Sequence, residues 1–110
     1  MAYDTELAER VRELIACERG VQEKKMFGGL AFLIGGNMSV VVSSKGGLMV
    51  RVPPEETERL LTRDHVEPMV MAGRETRGWL RVHRDGLKTK RQLSAWVDRG
   101  VDFAKGLPPK

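Results

Sequence analysis

The side chains in this sequence that are best suited to chemistry are two histidines and a single cysteine. His65 and His83 could serve as general bases or metal ligands, and Cys17 could serve as a nucleophile. They lie on different predicted elements, and no HExxH, CxxC or GxSxG spacing surrounds them. Because a catalytic or metal site needs several convergent groups, we expect no enzyme activity, no cofactor and no metal. We expect Cys17 to be a small, partly buried and unreactive thiol on the first helix.

A dense basic stretch offers a second kind of chemistry, the binding of anions. It consists of Arg81, His83, Arg84, Lys88, Lys90 and Arg91. Its last members cluster at the start of the final predicted helix, where positive charge opposes the helix dipole, and this placement favours an anionic partner. Nucleic acid is the alternative partner that we consider. Against it stand a net charge of only +4, an aromatic content of 5% and the lack of a known nucleic-acid-binding motif.

The charge of the chain is unevenly distributed along its length. Residues 1–73 include nine basic and eleven acidic side chains, whereas residues 74–110 include ten basic and four acidic ones. The C-terminal third is therefore the positive end. Such asymmetry indicates either an acidic partner or a solvated face.

The segment from Gly73 to Trp79 is the loop with the best binding chemistry. Arg74 and Arg77 could grip a carboxylate or phosphate with their planar guanidinium groups, and Trp79 could stack on a ring. In the structural alternative, Trp79 begins a strand and fills the core, and the two arginines are simply solvated.

A glycine pair follows two apolar residues in the run Lys25-Met26-Phe27-Gly28-Gly29. The structural interpretation is that Gly28 and Gly29 permit a bulge or sharp bend between strands, while Phe27 fills the core. The functional interpretation makes the segment a contact surface, because bare backbone beside Lys25 can admit a partner strand or a ligand. No P-loop lysine follows, so the glycines do not predict a phosphate site.

The elements that position these residues can be read from the hydrophobic spacing. A first helix is expected from residue 4 or 5 to about 19, followed by strands at about 22–26, 30–34, 37–43 and 48–52. Alternation predicts one core-facing row in each of the last three strands: Leu30, Phe32, Ile34; Met38, Val40, Val42; Leu48, Val50, Val52. A short helix that starts in the run 53–56 and reaches about Leu61 comes next, and an extended segment at 66–69 follows it. A polar loop at 73–78 then leads to a strand from Trp79 to about His83. Thr89 and Gln92 form a capping box at the start of the last helix.

This order predicts an α+β fold with two layers, a mostly antiparallel meander of strands and helices on one face, in the order α-β-β-β-β-α-β-α. The last helix should bury Leu93, Trp96, Val97, Val101 and Ala104. We expect one domain over residues 1–110, since 110 residues suffice to bury a core without metals or disulfides. The apolar runs are too short to span a membrane, which favours a cytoplasmic protein. We expect a monomer or a homodimer, since a meander leaves sheet edges that a second copy or the helices can cover.

Read in order, these residues resemble the N-terminal domain of the TfoX/Sxy competence regulators. The matching segments are Lys25 to Gly29, Gly36 to Met38, Leu48 to Val52, Gly73-Arg74 with Gly78-Trp79, and the stretches Leu93 to Val97 and Leu107 to Lys110. The resemblance covers about residues 4–110. It implies a fold of the secretion-chaperone-like kind and, in some full-length members, a role in regulating natural transformation. Those members carry a second, helical domain, and we expect this chain to be a stand-alone N-terminal domain.

The resemblance and the lack of a catalytic constellation together favour one function. We expect a non-catalytic regulatory or protein-binding module. The alternative is nucleic-acid binding through the basic C-terminal third, which would be strongly salt-dependent. A small-ligand pocket between sheet and helices is a third possibility, although no polar anchor for it can be named.

Overall fold

The computed structural model describes residues 3–26, 29–44, 46–71 and 73–108. The elements are, in order, α1 (Thr5–Leu14), β1 (Val21–Met26), β2 (Gly29–Ile34), β3 (Asn37–Val42), β4 (Leu48–Arg51), α2 (Thr57–Leu60), β5 (Val66–Met71), β6 (Arg74–Val82) and α3 (Lys90–Lys105). Short 3-10 helices precede α2 at Pro54–Glu56 and α3 at Arg84–Gly86. None of these described helices is both long enough and apolar enough to cross a membrane.

The six strands form one antiparallel sheet in the order β1-β2-β3-β4-β6-β5. The three helices pack on one face, so the predicted two-layer α+β fold is confirmed. Residues 73–78 are not the predicted polar loop, because Arg74 already begins β6, which pairs with β5 as a hairpin. The first helix ends at Leu14, earlier than predicted, and Cys17 is exposed rather than partly buried.

The face of the sheet beneath the helices carries apolar rows that run across the strands. One row joins Phe32, Val40, Val50 and Leu80, all of which are fully shielded from solvent. α3 covers the sheet with its predicted apolar face: Leu93, Trp96, Val97, Val101 and Ala104. Burying one side chain of this size contributes roughly 1.5–3 kcal/mol, so this layer holds the helices to the sheet.

A β-bulge interrupts the pairing of β2 with β3. Phe32 lies opposite Val40. The next residue, Leu33, lies opposite Met38, which leaves Ser39 without a partner across the ladder. Met38 therefore lies on the opposite face of the sheet from Val40, and its predicted place in the core-facing row of β3 is wrong.

Side-chain caps fix the starts of the two long helices. The Asp4 carboxylate accepts a hydrogen bond from the Leu7 amide at 3.1 Å and begins α1. The predicted capping box of α3 is confirmed, since the Thr89 hydroxyl accepts from the Gln92 amide and the Gln92 side chain accepts from the Thr89 amide.

Candidate functional site

The face of the sheet that no described helix covers carries a second apolar cluster, and we call this face the outer face. The buried members of the cluster are Ala31, Leu33, Val41, Met49 and Met69, and the partly buried members are Met26, Met38 and Trp79. Ala31 and Val41 are 0% exposed, and Met26, Met38 and Trp79 pack against the buried members of the cluster. The outer face is therefore a thin apolar layer whose partly buried members a partner can reach.

One row of side chains crosses the outer face from edge to edge. In the order of the strands it runs Lys24, Ala31, Val41, Met49, Arg81 and Glu67. Lys24 on the edge strand β1 is exposed and has no ion pair with a described residue. At the other edge, on β5, the Glu67 carboxylate lies 4.0 Å from the Arg81 guanidinium and 3.1 Å from the His83 imidazole. The row is apolar in the middle and charged at both ends.

Apolar burial on both faces is unusual for an antiparallel sheet in a two-layer fold, which normally turns polar side chains toward water on its uncovered face. Every residue of β2 is buried, and four of the six methionines lie in the outer cluster. Methionine is unbranched and polarisable, so its side chain adapts to the surface of a partner. The outer face is thus well suited to contact with another protein.

The two edge strands are less suited to such contact. β1 exposes Gln22, Glu23, Lys24 and Lys25, and charged side chains hinder the addition of a partner strand. β5 contains Pro68, which has no N–H to donate, and its register with β6 shifts between Pro68 and Val70. Val70 itself is 58% exposed. Both edges therefore carry features that discourage strand pairing.

The first predicted contact segment is only partly described, since Phe27 and Gly28 lie outside the described residues. Lys25 lies on β1 and is exposed. Gly29 is buried in β2, and a Cβ atom there would come within 2.1 Å of the Val42 carbonyl oxygen. The absence of a side chain at Gly29 therefore serves the close approach of β2 to β3, which supports the structural interpretation for this glycine.

The residues of the second predicted segment make different contacts in the fold. Arg74 is exposed at the start of β6, and the Arg77 guanidinium donates a hydrogen bond to the Pro54 carbonyl oxygen at 3.1 Å. Trp79 packs instead into the apolar cluster of the outer face. The structure therefore brings Trp79 together with the methionines of the outer cluster.

Part of the predicted basic stretch is neutralised by neighbouring carboxylates. Arg81 faces Glu67, and the Lys88 ammonium lies 3.6 Å from the Asp85 carboxylate. Three exposed members have no ion pair with a described residue, and we call them the three unpaired cations: Arg84, Lys90 and Arg91. The stretch is therefore less positive in the folded protein than in the sequence.

A groove of about 500 Å³ lies between the start of α1 and the second 3-10 helix. Arg84 and Lys88 line it, and Arg10 enters from α1 with its guanidinium donating to the Leu87 carbonyl oxygen at 2.9 Å. The groove also has three acidic residues, Asp4, Glu6 and Asp85. Sequence reasoning missed Arg10, which lies 77 positions from its hydrogen-bond partner. Because cations and carboxylates are balanced in number, the groove is not a strong anion site.

A bidentate ion pair joins the helix layer to the edge strand β1. The Arg12 guanidinium donates to both carboxylate oxygens of Glu23, at 2.6 and 2.8 Å. These hydrogen bonds raise the pKa of Arg12 and lower the pKa of Glu23. The Glu23 carboxylate is therefore paired with Arg12 on the helix side of β1, while its neighbour Lys24 points to the outer face.

Among the described residues, no three histidine, cysteine, aspartate or glutamate side chains come together as a metal site requires. No curated protein and no solved structure matches the chain. The family model of the TfoX N-terminal domain matches residues 13–104, a span that includes the whole sheet and with it the outer face. Because this match covers most of the sequence, the chain belongs to the TfoX N-terminal domain family.

Proposed function

We propose that this chain is a non-catalytic regulatory module that acts by binding protein through its outer face. The observation that carries the proposal is the methionine-rich apolar cluster on the side of the sheet that no described helix covers. An apolar surface on the uncovered side of a sheet is a feature of contact sites. Membership of the TfoX N-terminal domain family is consistent with a regulatory role.

Nucleic acid is a weaker candidate for the partner. The three unpaired cations favour it, but the ion pairs of Arg81 and Lys88 and the mixed charge of the groove reduce the positive potential around them. Phosphate contacts dominate nucleic-acid affinity, so a binder needs many free cations on one surface. We therefore place protein contact first.

The proposal can be tested with a photo-crosslinking amino acid placed on the surface in cells. Met38→p-benzoylphenylalanine puts the crosslinker on a partly buried position of the outer face, and Arg91→p-benzoylphenylalanine puts it on an exposed position of α3 as the matched control. Circular dichroism should first establish that both variants fold. We expect a covalent protein adduct from position 38 only, identified by mass spectrometry.

Two results would count against this function. The same adducts from positions 38 and 91, or none from position 38, would remove the outer face as the contact surface. A measured turnover that disappears when His65 or His83 is replaced would contradict the non-catalytic role.

A further inference from the structure

We propose that the protein bound by the outer face is a second copy of this chain, packed sheet against sheet about a twofold axis that runs parallel to the strands. This inference rests on the proposed function and names its partner. Closed twofold dimers use the same surface on both subunits, so the surface must be complementary to itself.

The charges at the ends of the outer-face row meet this requirement. Lys24 lies at one end of the row and Glu67 at the other. A twofold axis parallel to the strands reverses the order of the strands in the facing sheet, so each Lys24 comes opposite the Glu67 of the other copy. An axis perpendicular to the strands would instead place Lys24 opposite Lys24, where like charges repel.

The groups at both ends are available for this pairing. Lys24 has no ion pair with a described residue, and the side chain of Glu67 is 45% exposed although Arg81 and His83 approach it. A carboxylate has about four acceptor sites, so Glu67 can accept a further ammonium group. The two Lys24–Glu67 contacts would set the orientation of the dimer.

The partly buried members of the outer cluster supply the apolar contact between the two sheets, since Ala31 and Val41 in the row itself are 0% exposed. Ala31, Val41 and Met49 lie between the charged ends, and the partly buried Met26, Met38 and Trp79 pack against the buried members of the cluster. Six strands spaced by about 4.8 Å give a row about 24 Å long. Aligned sheets pack about 10 Å apart through interdigitated side chains, and flexible methionines can fill such a layer.

The test is a charge swap followed by sedimentation velocity over a range of concentrations. Lys24→Glu places two carboxylates opposite each other at both contacts, and Glu67→Lys places two ammonium groups there. Each variant alone should dimerise about tenfold more weakly than the wild type, because two contacts change from attraction to repulsion. An equimolar mixture of the two variants should restore the dimer, since both contacts then join opposite charges. Lys90→Glu, on α3, is the matched control and should leave dimerisation unchanged.

Lys24→Glu is the cleaner variant, because Glu67→Lys also removes the neighbour of Arg81 and His83 within the chain. Met38→Asp provides a second, independent disruption by placing a charge in the apolar layer. A wild-type chain that remains monomeric at every concentration would overturn the inference, and so would a mixture no tighter than the single variants. An adduct of position 38 with a different protein would also overturn it while leaving the proposed function standing.

Discussion

Replacing Gly100 by alanine should raise the helix propensity of α3 but worsen its packing against β3. We expect the packing effect on the free energy of unfolding to be the larger one. Gly100 lies inside α3, where alanine is favoured over glycine by about 1 kcal/mol. A Cβ atom there would lie 2.5 Å from the Ser39 carbonyl oxygen and 2.8 Å from the Val40 side chain. The first of these neighbours is backbone, which cannot rotate away, so α3 itself must move off β3.

The free-energy cost of moving α3 decides whether Gly100→Ala stabilises or destabilises the protein. Overpacking a well-filled core costs about 1–3 kcal/mol, and a contact below 3 Å with a carbonyl oxygen belongs at the upper end. After the gain in helix propensity, Gly100→Ala should lower the free energy of unfolding by about 1–2 kcal/mol. For a domain of this size the melting temperature should fall by about 4–8 °C. Ser39 is the bulge residue next to Met38, so the outer face should be disturbed as well.

Urea unfolding followed by circular dichroism measures the change, and Gly106→Ala is the matched control. A Cβ atom at Gly106 would meet its nearest neighbours at ordinary distances of 3.5 and 3.6 Å, and the φ angle there is −77°. Alanine should therefore leave stability unchanged or raise it by up to about 1 kcal/mol. If Gly100→Ala unfolds at the same urea concentration as the control or at a higher one, the argument from close packing is refuted.

Three further outcomes are expected. Glu23→Gln should lose the small stabilisation from Arg12, under about 1 kcal/mol at neutral pH. Because the folded pKa of Glu23 is lowered, this contribution disappears as the pH falls below the carboxyl range, so urea midpoints of variant and wild type should converge in acid. Thr89→Ala should cost about 1 kcal/mol in thermal unfolding by removing the hydroxyl that caps α3, with Thr5→Ala as an exposed threonine control. Fluorescence anisotropy should show no salt-sensitive binding to a labelled random DNA duplex, and binding that is lost on neutralising the three unpaired cations would favour nucleic acid instead.

Much of the fold could be predicted from the sequence, because its signals are local. The periodicity of the last helix identified its buried face, and Thr89 with Gln92 located its start. The hairpin of β5 and β6 was missed because residues 73–78 are polar and contain two glycines, which is also typical of a loop. Strand pairing holds them in the sheet despite that composition, and pairing across the sheet leaves no local signal.

The outer face could not be predicted from the sequence for a related reason. Its row combines residues from all six strands, from Lys24 on the first to Glu67 and Arg81 on the last two, and only the register of the sheet brings them together. The predicted contact residues are instead neighbours along the chain. Among the described members of that set, Trp79 alone lies in the outer cluster, and Arg81 lies in the outer-face row.

The folding of the sheet does not by itself explain the apolar residues of the outer face, because they do not specify the pairing register of β2 with β3. A shift of one residue exchanges the two faces of a strand, and hydrophobic alternation normally prevents it. Residues 40–42 are three consecutive valines, so alternation cannot choose between the faces here. The two-residue turn at Gly35 and Gly36, with φ angles of 59° and 85°, and the bulge at Ser39 fix the register instead. Polar residues on the outer face would have specified the same register more simply and would have improved solvation. The presence of Ala31, Val41 and methionines there supports the proposal that this face contacts another protein.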